Sequence, residues 1–380
     1  MNKPFLKAYK YRIYPNREQQ VLIEKHFGCA RFTFNWALAL QQSYYKEHKK
    51  ILSRKEIQDQ LVLLKKTPEF EWLNTVNSQS LLSSLLHVYT AFGNFFKCRA
   101  EFPKFKSKKI QQRSYQCPQH CTVNFASGVL NLPKIKEIKT IFSRQFDGKI
   151  KTVTISKSAT GKYYASILVE TEVNLPVPSI IEVDKTIGID LGLTHMLIQS
   201  DGDKVENPRY LKKAQKRLAI QQKIFSRKKK EAQNYRRQKL RVACIHEKVR
   251  NQRLDLHHKL THKLICENQA TTYAVEDLGV KSMVKNRKLA KSISDIAWGQ
   301  FLTLLKYKAE WYGKNILRIG RFVPSSKTCS QCGYTMEKLP LHIRSWSCPD
   351  CLSVLDRDLN ASMNIRNFAL ADVLGQFSTV

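Results

Sequence analysis

Four cysteines near the carboxyl end constrain the fold of this chain more than any other feature. They form two Cys-x-x-Cys pairs, Cys329 with Cys332 and Cys348 with Cys351, separated by fifteen residues. Each such turn presents two thiolates to one tetrahedral Zn²⁺, and the intervening length allows a short hairpin that brings the pairs together. Since cysteine fills all four positions, no coordination position stays open for catalysis. The pattern predicts one structural zinc ion in a zinc-ribbon-like insertion over residues 328–351, the alternative being reduced cysteines in tight turns.

A weaker cysteine pattern occurs earlier, in the segment CPQHC. Cys117, His120 and Cys121 could hold a second metal ion, but no further ligand pair is evident in the sequence. The cysteines outside these two patterns fall in helical segments, where we expect them to serve as small apolar side chains.

The chain is strongly basic. Its 380 residues include 65 Lys and Arg against 31 Asp and Glu, which gives a formal net charge of +34. A surface that repels itself this strongly usually has a polyanionic partner, and nucleic acid is the leading candidate. The excess is concentrated between Lys204 and Arg253, where 18 Lys and Arg stand against three Glu, a net charge of +15. We expect this face to bind nucleic-acid backbone, with a solvated helical face as the alternative.

Length and hydropathy indicate a folded, multidomain protein. Apolar residues make up 42% of the chain, enough for a core despite the charge, and 380 residues suit two or three domains. The sequence has no run of about 18 apolar residues and no apolar stretch of signal-peptide type. We therefore expect a soluble intracellular protein with no membrane partner.

Local patterns predict an α/β organisation. A strand over residues 3–14 precedes helices over 17 to about 100, whose starts carry the capping-box pairs Asn16 with Gln19 and Ser53 with Glu56. Alternating apolar residues on both sides of Thr160-Gly161 predict a β-hairpin. These strands could close a small β-barrel into which the helices are inserted. The basic and aromatic segment FPKFKSKK, residues 102–109, is either a nucleic-acid contact or a solvated loop.

Three separated acids suggest a site for divalent cations. Asp190 ends the apolar strand TIGID, Glu276 ends the β-rich run TTYAVE, and Asp358 lies in LDRDLNASMNI, just ahead of a predicted helix. Carboxylate oxygens suit Mg²⁺, and a pair of such ions can activate water and stabilise the leaving oxygen at a phosphodiester. Any one of these acids alone could be structural, because acids often cap helices or end strands.

These motifs resemble the TnpB (OrfB) family of transposon-encoded proteins, relatives of the type V CRISPR effectors. The resemblance covers nearly the whole chain. The opening KAYKYRIYPNREQQVLIEKHFGCARFTFNWAL and the basic FPKFKSKK are similar to the family's amino-terminal half. GIDLGLTHM and AVEDLGVKSMVKN resemble its first two RuvC segments, and TCSQCGY, CPDC and DRDLNASMNI resemble its zinc element and third segment.

The resemblance implies an α/β multidomain fold with four parts. A wedge β-barrel would comprise residues 1–16 and 101–180, and a helical recognition domain, residues 17–100, would be inserted into it. An RNase H-like RuvC nuclease domain would comprise residues 181–327 and 352–380, interrupted by the zinc-binding insertion, residues 328–351.

The activity implied is RNA-guided cleavage of DNA beside a short adjacent motif, by two-metal phosphodiester hydrolysis. The partners implied are a guide RNA from the transposon end and target double-stranded DNA, in the cytoplasm and nucleoid of a prokaryotic host. The catalytic acids of the family fall on Asp190, Glu276 and Asp358, which would bind the Mg²⁺ ions. Asp356 is the rival for the third position. Members of the family often carry His where this chain has Leu355, which concerns local packing only.

Two other functions remain compatible with the residues. A nuclease-inactive, RNA-guided DNA-binding repressor would share the charge and the zinc but would not need three intact acids. A transposase or its accessory protein would use similar carboxylate and metal chemistry.

Overall fold

The computed structural model describes residues 5–108 and 113–375, and the chain divides into two units, Met1–Asn174 and Leu175–Val380. The division falls inside the segment VNLPVPS, residues 173–179, which lies between the last strand of the first unit and the first strand of the second.

The first unit contains a seven-stranded antiparallel sheet. Its strands are β1 (Phe5–Tyr14), β2 (Arg113–Cys117), β3 (Thr122–Asn124), β4 (Val129–Leu132), β5 (Ile135–Ile141), β6 (Lys149–Lys157) and β7 (Tyr163–Thr171). The strand order is β2-β6-β7-β1-β5-β4-β3. The hairpin predicted around Thr160-Gly161 is confirmed: it joins β6 to β7, and Gly161 adopts a positive φ of 80° in its turn.

This sheet is curled. β2 and β3 lie at its opposite edges, yet residues 118–121 alone connect them. A connection of that length spans at most about 18 Å, whereas the edges of a flat sheet of seven strands would be about 29 Å apart. The edges must therefore approach each other. The predicted β-barrel is thus a curled sheet whose edge strands are not hydrogen-bonded to each other in the described part of the chain.

Three helices and a 3₁₀ helix lie between β1 and β2. They are α1 (Arg17–His48), α2 (Arg54–Leu64), the 3₁₀ helix Pro68–Thr75 and α3 (Ser78–Phe96). Both predicted capping boxes are present, at Asn16 with Gln19 and at Ser53 with Glu56. The amino-terminal half of α1 packs Ile23 against the core of the sheet, while the rest of α1 forms a second core with α2 and α3.

The second unit contains a five-stranded mixed sheet. Its strands are β8 (Thr186–Asp190), β9 (His195–Gln199), β10 (Lys204–Glu206), β11 (Thr272–Glu276) and β12 (Asn315–Ile319), in the order β10-β9-β8-β11-β12. β8 is central, and β8, β11 and β12 are parallel. The carboxyl ends of these three strands therefore meet at one edge of the sheet.

Helices cover both faces of this sheet. The helices of this unit are α4 (Tyr210–Ser226), α5 (Gln233–His262), which continues into a π-helical turn (Lys263–Glu267), α6 (Val280–Met283), α7 (Ala290–Ile296), α8 (Trp298–Trp311) and α9 (Arg357–Leu374). Ile189 and Val275 point into a core with α8. Ala274 points to the other face, where Ile365 and Ala369 of α9 cover it. A two-stranded hairpin, β13 (Ser345–Ser347) with β14 (Val354–Asp356), precedes α9.

Candidate active site

Asp190 and Glu276 end two neighbouring parallel strands. The register of β8 and β11 pairs Ile189 with Val275, so the next residues along the strands, the two acids, lie side by side at a strand spacing of about 4.8 Å. Successive side chains of a strand point to opposite faces. Because Ile189 and Val275 face α8, both carboxylates point to the face that α9 covers.

Asp358 reaches the same place because α9 packs directly on β8. A Cβ built on Gly188 would lie 2.0 Å from the carbonyl oxygen of Ser362 in α9, so this approach requires glycine. Gly188 and Asp190 share a face of the strand, and Asp358 precedes Ser362 by about one helical turn. The start of α9 therefore lies at the carboxyl end of β8.

The electrostatics of Asp190 are those of a carboxylate cluster. Loss of solvation, and after it the charges of Glu276 and Asp358, together raise the pKa of Asp190 to about 7. The negative charge of each of the other two predicted acids thus raises the pKa of Asp190, the central one. The structure brings together all three acids that the sequence singles out.

Each of the outer acids also has a polar partner. Oε1 of Glu276 accepts a hydrogen bond of 2.6 Å from the hydroxyl of Ser325. Oδ1 of Asp358 lies 3.3 Å from a guanidinium nitrogen of Arg344 in the zinc-binding element, and this Arg344 side chain is well exposed. A cation at the cluster would therefore compete with a weak surface ion pair at Asp358.

Asp356 has a different role. It is the N-cap of α9, and its Oδ1 accepts the N–H groups of Asp358 at 3.1 Å and Leu359 at 3.0 Å. Its partial burial alone would raise its pKa, but the hydrogen bond from Lys204 and the two capping N–H groups lower the pKa overall. Asp358 itself is the second residue of α9, whereas it was expected to lie just ahead of the helix; that expectation is wrong.

The chemistry of this donor set fits a hard divalent cation. Three carboxylates supply oxygen ligands only, which is the preference of Mg²⁺. A cleft of about 810 Å³ opens beside Glu276, and the basic side chains of Lys281, Lys306, Arg318 and Arg321 line it. This cleft lies on the α8 side of the sheet, and Glu276 is the one acid of the three that lines it.

The four predicted cysteine ligands are grouped. Their sulfur atoms all lie within 4.8 Å of one another, with 3.6 Å between Cys329 and Cys351 and 3.5 Å between Cys332 and Cys348. Zn–S bonds of about 2.3 Å place tetrahedral thiolates about 3.8 Å apart, whereas a disulfide requires about 2.05 Å. The cluster fits one zinc ion. In residues 5–108 and 113–375 it is the one set of His, Cys, Asp or Glu whose ligand atoms all lie this close together. The weaker pattern at CPQHC does not form such a set, and the three acids of the carboxylate cluster lie farther apart than this distance.

The two Cys-x-x-Cys turns have the same backbone design. In the first, the N–H of Gly333 donates to the carbonyl of Cys329 at 2.9 Å; in the second, the N–H of Leu352 donates to the carbonyl of Cys348 at 3.0 Å. Both donors have positive φ, 82° at Gly333 and 60° at Leu352. Glycine adopts this conformation freely, but leucine is strained in it. Leu355, where the family often has His, is buried against the cysteine cluster.

Two buried asparagines of α9 hold the zinc-binding element, and sequence reasoning assigned them no function. Asn360 accepts the N–H of Ser330 at 2.8 Å and donates to the carbonyl of Thr328 at 2.7 Å. Asn364 donates to the carbonyls of Ser325 and Thr328 at 2.7 and 2.6 Å. The sequence held one indication of this role: the two asparagines are four residues apart, on the face of α9 that packs inward. A buried side-chain amide must find hydrogen-bond partners.

The basic segment between Lys204 and Arg253 forms most of the α4–α5 hairpin. α4 buries one side chain, Leu218, so its Lys and Arg side chains lie largely in solvent. Asp295 accepts the N–H groups of Leu211 and Lys212 at the start of α4. Such a face is suited to bind the phosphates of a nucleic acid.

The segment FPKFKSKK is fixed to the helices of the first unit up to residue 108; Lys109 lies outside the described residues. Lys106 exchanges hydrogen bonds of 2.7 and 2.9 Å with the side chain of Asn35, and its ammonium lies 3.9 Å from the ring centre of Phe34. Phe102 packs edge-on against Phe95. The segment is thus held against these helices while Lys106 stays exposed, and both a nucleic-acid contact and a solvated loop are compatible with it.

None of the described helices is long and apolar enough to cross a membrane.

Comparisons with known proteins agree with this fold and its motifs. A solved structure titled "Cryo-EM structure of the Cas12f1-sgRNA-target DNA complex" covers 96% of this chain and 99% of its own, with a TM-score of 0.58 and 12% identity. Another, titled "Structure of the mini-RNA-guided endonuclease CRISPR-Cas_phi3", covers 97% and 92%, with a TM-score of 0.50 and 8% identity. The chain has a Cas12-like fold.

Sequence comparison assigns the family. A protein of Streptomyces pristinaespiralis named "Putative RNA-guided DNA endonuclease" is 38% identical over 96% of this chain and 90% of its own length. InsQ of Escherichia coli (strain K12), which carries the same description, is 32% identical over 95% and 91%. TnpB-like protein L770 of Acanthamoeba polyphaga mimivirus is 24% identical over 97% and 75%. The chain belongs to the TnpB family.

Three family models match parts of the chain. The OrfB model described as "Probable transposase" matches residues 166–287, and the model described as "Cas12f1-like, TNB domain" matches residues 298–365. An OrfB "Helix-turn-helix domain" model matches residues 1–50. Residues 5–50 here contain one strand and one long helix, so that description does not fit the local structure.

Proposed function

We propose that this protein is an RNA-guided DNA endonuclease that hydrolyses a phosphodiester with Mg²⁺ held by Asp190, Glu276 and Asp358. The observation that carries the proposal is the convergence of these three carboxylates on one face of the sheet, at the carboxyl ends of β8 and β11 and the start of α9. The names of its relatives support the same activity.

In this proposal the second unit is a RuvC-like nuclease domain with an RNase H-like sheet, formed by residues 181–327 and 352–380. Residues 328–351 are its zinc-binding insertion. Residues 1–16 and 101–180 are the wedge, and residues 17–100 are the helical recognition domain that reads the adjacent motif and holds the duplex.

The acids would share the work of the reaction. When bound, a pair of Mg²⁺ ions supplies an activated water and charge compensation at the leaving oxygen. Asp190 must give up its proton to serve as a ligand, because loss of solvation and its two acidic neighbours favour the protonated form. Asp356 positions the start of α9, and thereby Asp358, through its capping hydrogen bonds.

The partners in this proposal are a guide RNA from the transposon end and target double-stranded DNA. Base pairing would choose the sequence, and the protein would hold the heteroduplex through its backbone. The +34 net charge and the α4–α5 face supply the positive potential needed to bind the phosphates of this heteroduplex. A prokaryotic cytoplasm, with access to the nucleoid, is the proposed location.

The test is a Mg²⁺-dependent plasmid cleavage assay with protein co-expressed with its own locus, with guide-dependent DNA binding followed in parallel. Asp190→Ala, Glu276→Ala and Asp358→Ala should each lose cleavage by several orders of magnitude while binding survives, since an oxygen ligand is removed and the basic surfaces are unchanged. Asp356→Ala, the matched control in the same motif, should keep measurable cleavage.

Two outcomes would contradict the proposal. Undiminished cutting by Asp190→Ala would exclude the carboxylate cluster as the active site. Tight guide-dependent DNA binding by a parent protein that never cuts would identify a repressor instead.

A further inference from the structure

Ser325 lies between the elements that carry the outer two acids. It is 6% exposed, in the loop that leads from β12 into the zinc-binding element. Its hydroxyl donates a hydrogen bond of 2.6 Å to Oε1 of Glu276, and its carbonyl accepts a hydrogen bond of 2.7 Å from the side-chain amide of Asn364 in α9. One residue thus contacts both Glu276, at the end of its strand, and α9, the helix whose first turn carries Asp358.

The same path continues to the zinc ligands. Asn364 and Asn360 both donate to the carbonyl of Thr328, and Asn360 accepts the N–H of Ser330. Thr328 and Ser330 are the residues on either side of Cys329. The two asparagines are 3% and 1% exposed. In such a buried network each lost partner leaves a polar group unsatisfied, so the connection resists rearrangement.

The hydrogen bond from Ser325 leaves one oxygen of Glu276 for another ligand. Oε1 is engaged by the hydroxyl, and no residue in the described part of the chain donates a hydrogen bond to Oε2. A hydroxyl that fixes one oxygen of a carboxylate restricts the rotation of the group and orients the second oxygen.

We propose that Ser325 is a positioning residue for cation binding, which orients Glu276 and couples it, through Asn364 and Asn360, to the zinc-binding element and α9. The proposal rests on the proposed function, since it assumes that Glu276 binds the catalytic cation. It assigns the zinc-binding element a part in setting the affinity of the carboxylate cluster for a divalent ion, beyond the folding of its own residues.

The experiment compares Ser325→Ala with Ser326→Ala in the full-length, zinc-loaded protein with its RNA. Ser326 is the adjacent serine, partly exposed, and the structure shows no hydrogen bond from its hydroxyl to a described residue. Mn²⁺ binding is measured by electron paramagnetic resonance titration, with Glu276→Ala as the reference for a lost ligand. Zinc content, melting temperature and target binding are measured on the same samples.

Ser325→Ala should bind Mn²⁺ about tenfold more weakly, as expected for loss of one charge-assisted hydrogen bond. The Mg²⁺ concentration that half-saturates cleavage should rise by a similar factor, with the KM for target DNA, the zinc content and target binding unchanged. Ser326→Ala should match the parent in every measurement.

Parental Mn²⁺ affinity in Ser325→Ala would overturn the proposal, even if cleavage fell. Weaker Mn²⁺ binding accompanied by loss of zinc would also overturn it, because Ser325 would then serve only to fold the loop. If Glu276→Ala bound Mn²⁺ as the parent does, the proposed function would be wrong about its ligand, and the role of Ser325 would fall with it. The first two results concern Ser325→Ala and differ in its Mn²⁺ affinity and zinc content. The third concerns Glu276→Ala, so a failure of the proposed function can be distinguished from a failure of this inference.

Discussion

The backbone of Ser362 lies where the side chain of any residue but glycine at position 188 would have to be. A Cβ on Gly188 would come within 2.0 Å of the Ser362 carbonyl oxygen and 2.8 Å of the Arg366 amide nitrogen. This contact sets the distance between β8 and α9. It therefore sets the distance between the central acid of the site, Asp190, and the acid at the start of the helix, Asp358.

Gly188→Ala should push α9 away from the sheet. We expect it to lower the free energy of unfolding by about 1–3 kcal/mol, because the clash is with backbone that has no alternative rotamer, and to reduce Mg²⁺-dependent cleavage. Gly299→Ala is the matched control, since a Cβ there meets nothing within 4 Å and alanine in a helix is favoured by about 0.5–1 kcal/mol. Chemical denaturation of both variants measures the difference; equal stability would contradict the contact.

The charge state of Asp190 should make stability depend on pH when divalent cations are absent. Its pKa is raised from an ordinary 3.8 to about 7 in the folded protein, so the folded state holds the proton more tightly than the unfolded state. The stability that this proton contributes is fully present below 3.8 and is lost as the pH rises to about 7. The melting temperature of Asp190→Asn should therefore rise relative to that of the parent between about pH 4 and pH 7 and should exceed it by a constant amount above that range.

Two comparisons check this prediction for Asp190. Asp184→Asn removes an exposed acid in the same unit and should show no such trend. Added Mg²⁺ at pH 8 should raise the melting temperature of the parent but not that of Asp190→Asn, because the ion binds the charged carboxylate. A constant difference between Asp190→Asn and the parent across this pH range would be inconsistent with a buried carboxylate cluster.

A single substitution in the second Cys-x-x-Cys turn should make the protein hold zinc longer. Leu352 holds a left-handed backbone conformation with a φ of 60° while its side chain is 76% exposed, so Leu352→Gly relieves about 1 kcal/mol of strain without removing packing. We expect slower zinc release to a chromophoric chelator. Leu341→Gly, at an equally exposed position inside the zinc-binding insertion and without positive φ, should not slow release. Faster release from Leu352→Gly would refute the strain argument.

The basic α4–α5 face should bind backbone rather than bases. Replacing Lys228, Lys229 and Lys230 together by Gln should weaken nucleic-acid binding about equally across sequences and lower the slope of log K against log salt by up to about three units. The charge-preserving Arg triple variant is the control and should keep the slope. A sequence-selective loss with an unchanged slope would contradict this role.

The individual acids could be predicted from the sequence because each lies where a predicted element ends or begins. Asp190 and Glu276 follow apolar runs and precede a nearby glycine, and Asp358 lies near the start of a predicted helix. Their convergence could not be predicted. It depends on the pairing of β8 with β11 and on the contact of Gly188 with Ser362, which are tertiary relationships between segments distant in the chain. The family resemblance supplied the grouping that the pattern alone lacked.

Other features escaped prediction for similar physical reasons. The cysteine cluster was recognisable because its spacing is set by local turns, but Asn360 and Asn364 look like ordinary polar helix residues until their partners, 30 to 39 residues earlier, are known. Alternation along the strands predicted the hairpin of β6 and β7. It could not say whether the edges of the sheet would pair, which depends on the short connection from β2 to β3.

The positive charge of the α4–α5 hairpin has a consequence for its order. Its turn is exposed, and a ring contact between Phe225 and Tyr235 and an amide contact between Gln238 and Gln221 oppose the repulsion of its many cations. Added salt weakens repulsion within such a segment, whereas it loosens helices that depend on ion pairs. Amide hydrogen exchange in this hairpin should therefore slow as ionic strength rises, which makes its counter-ions part of what keeps it folded.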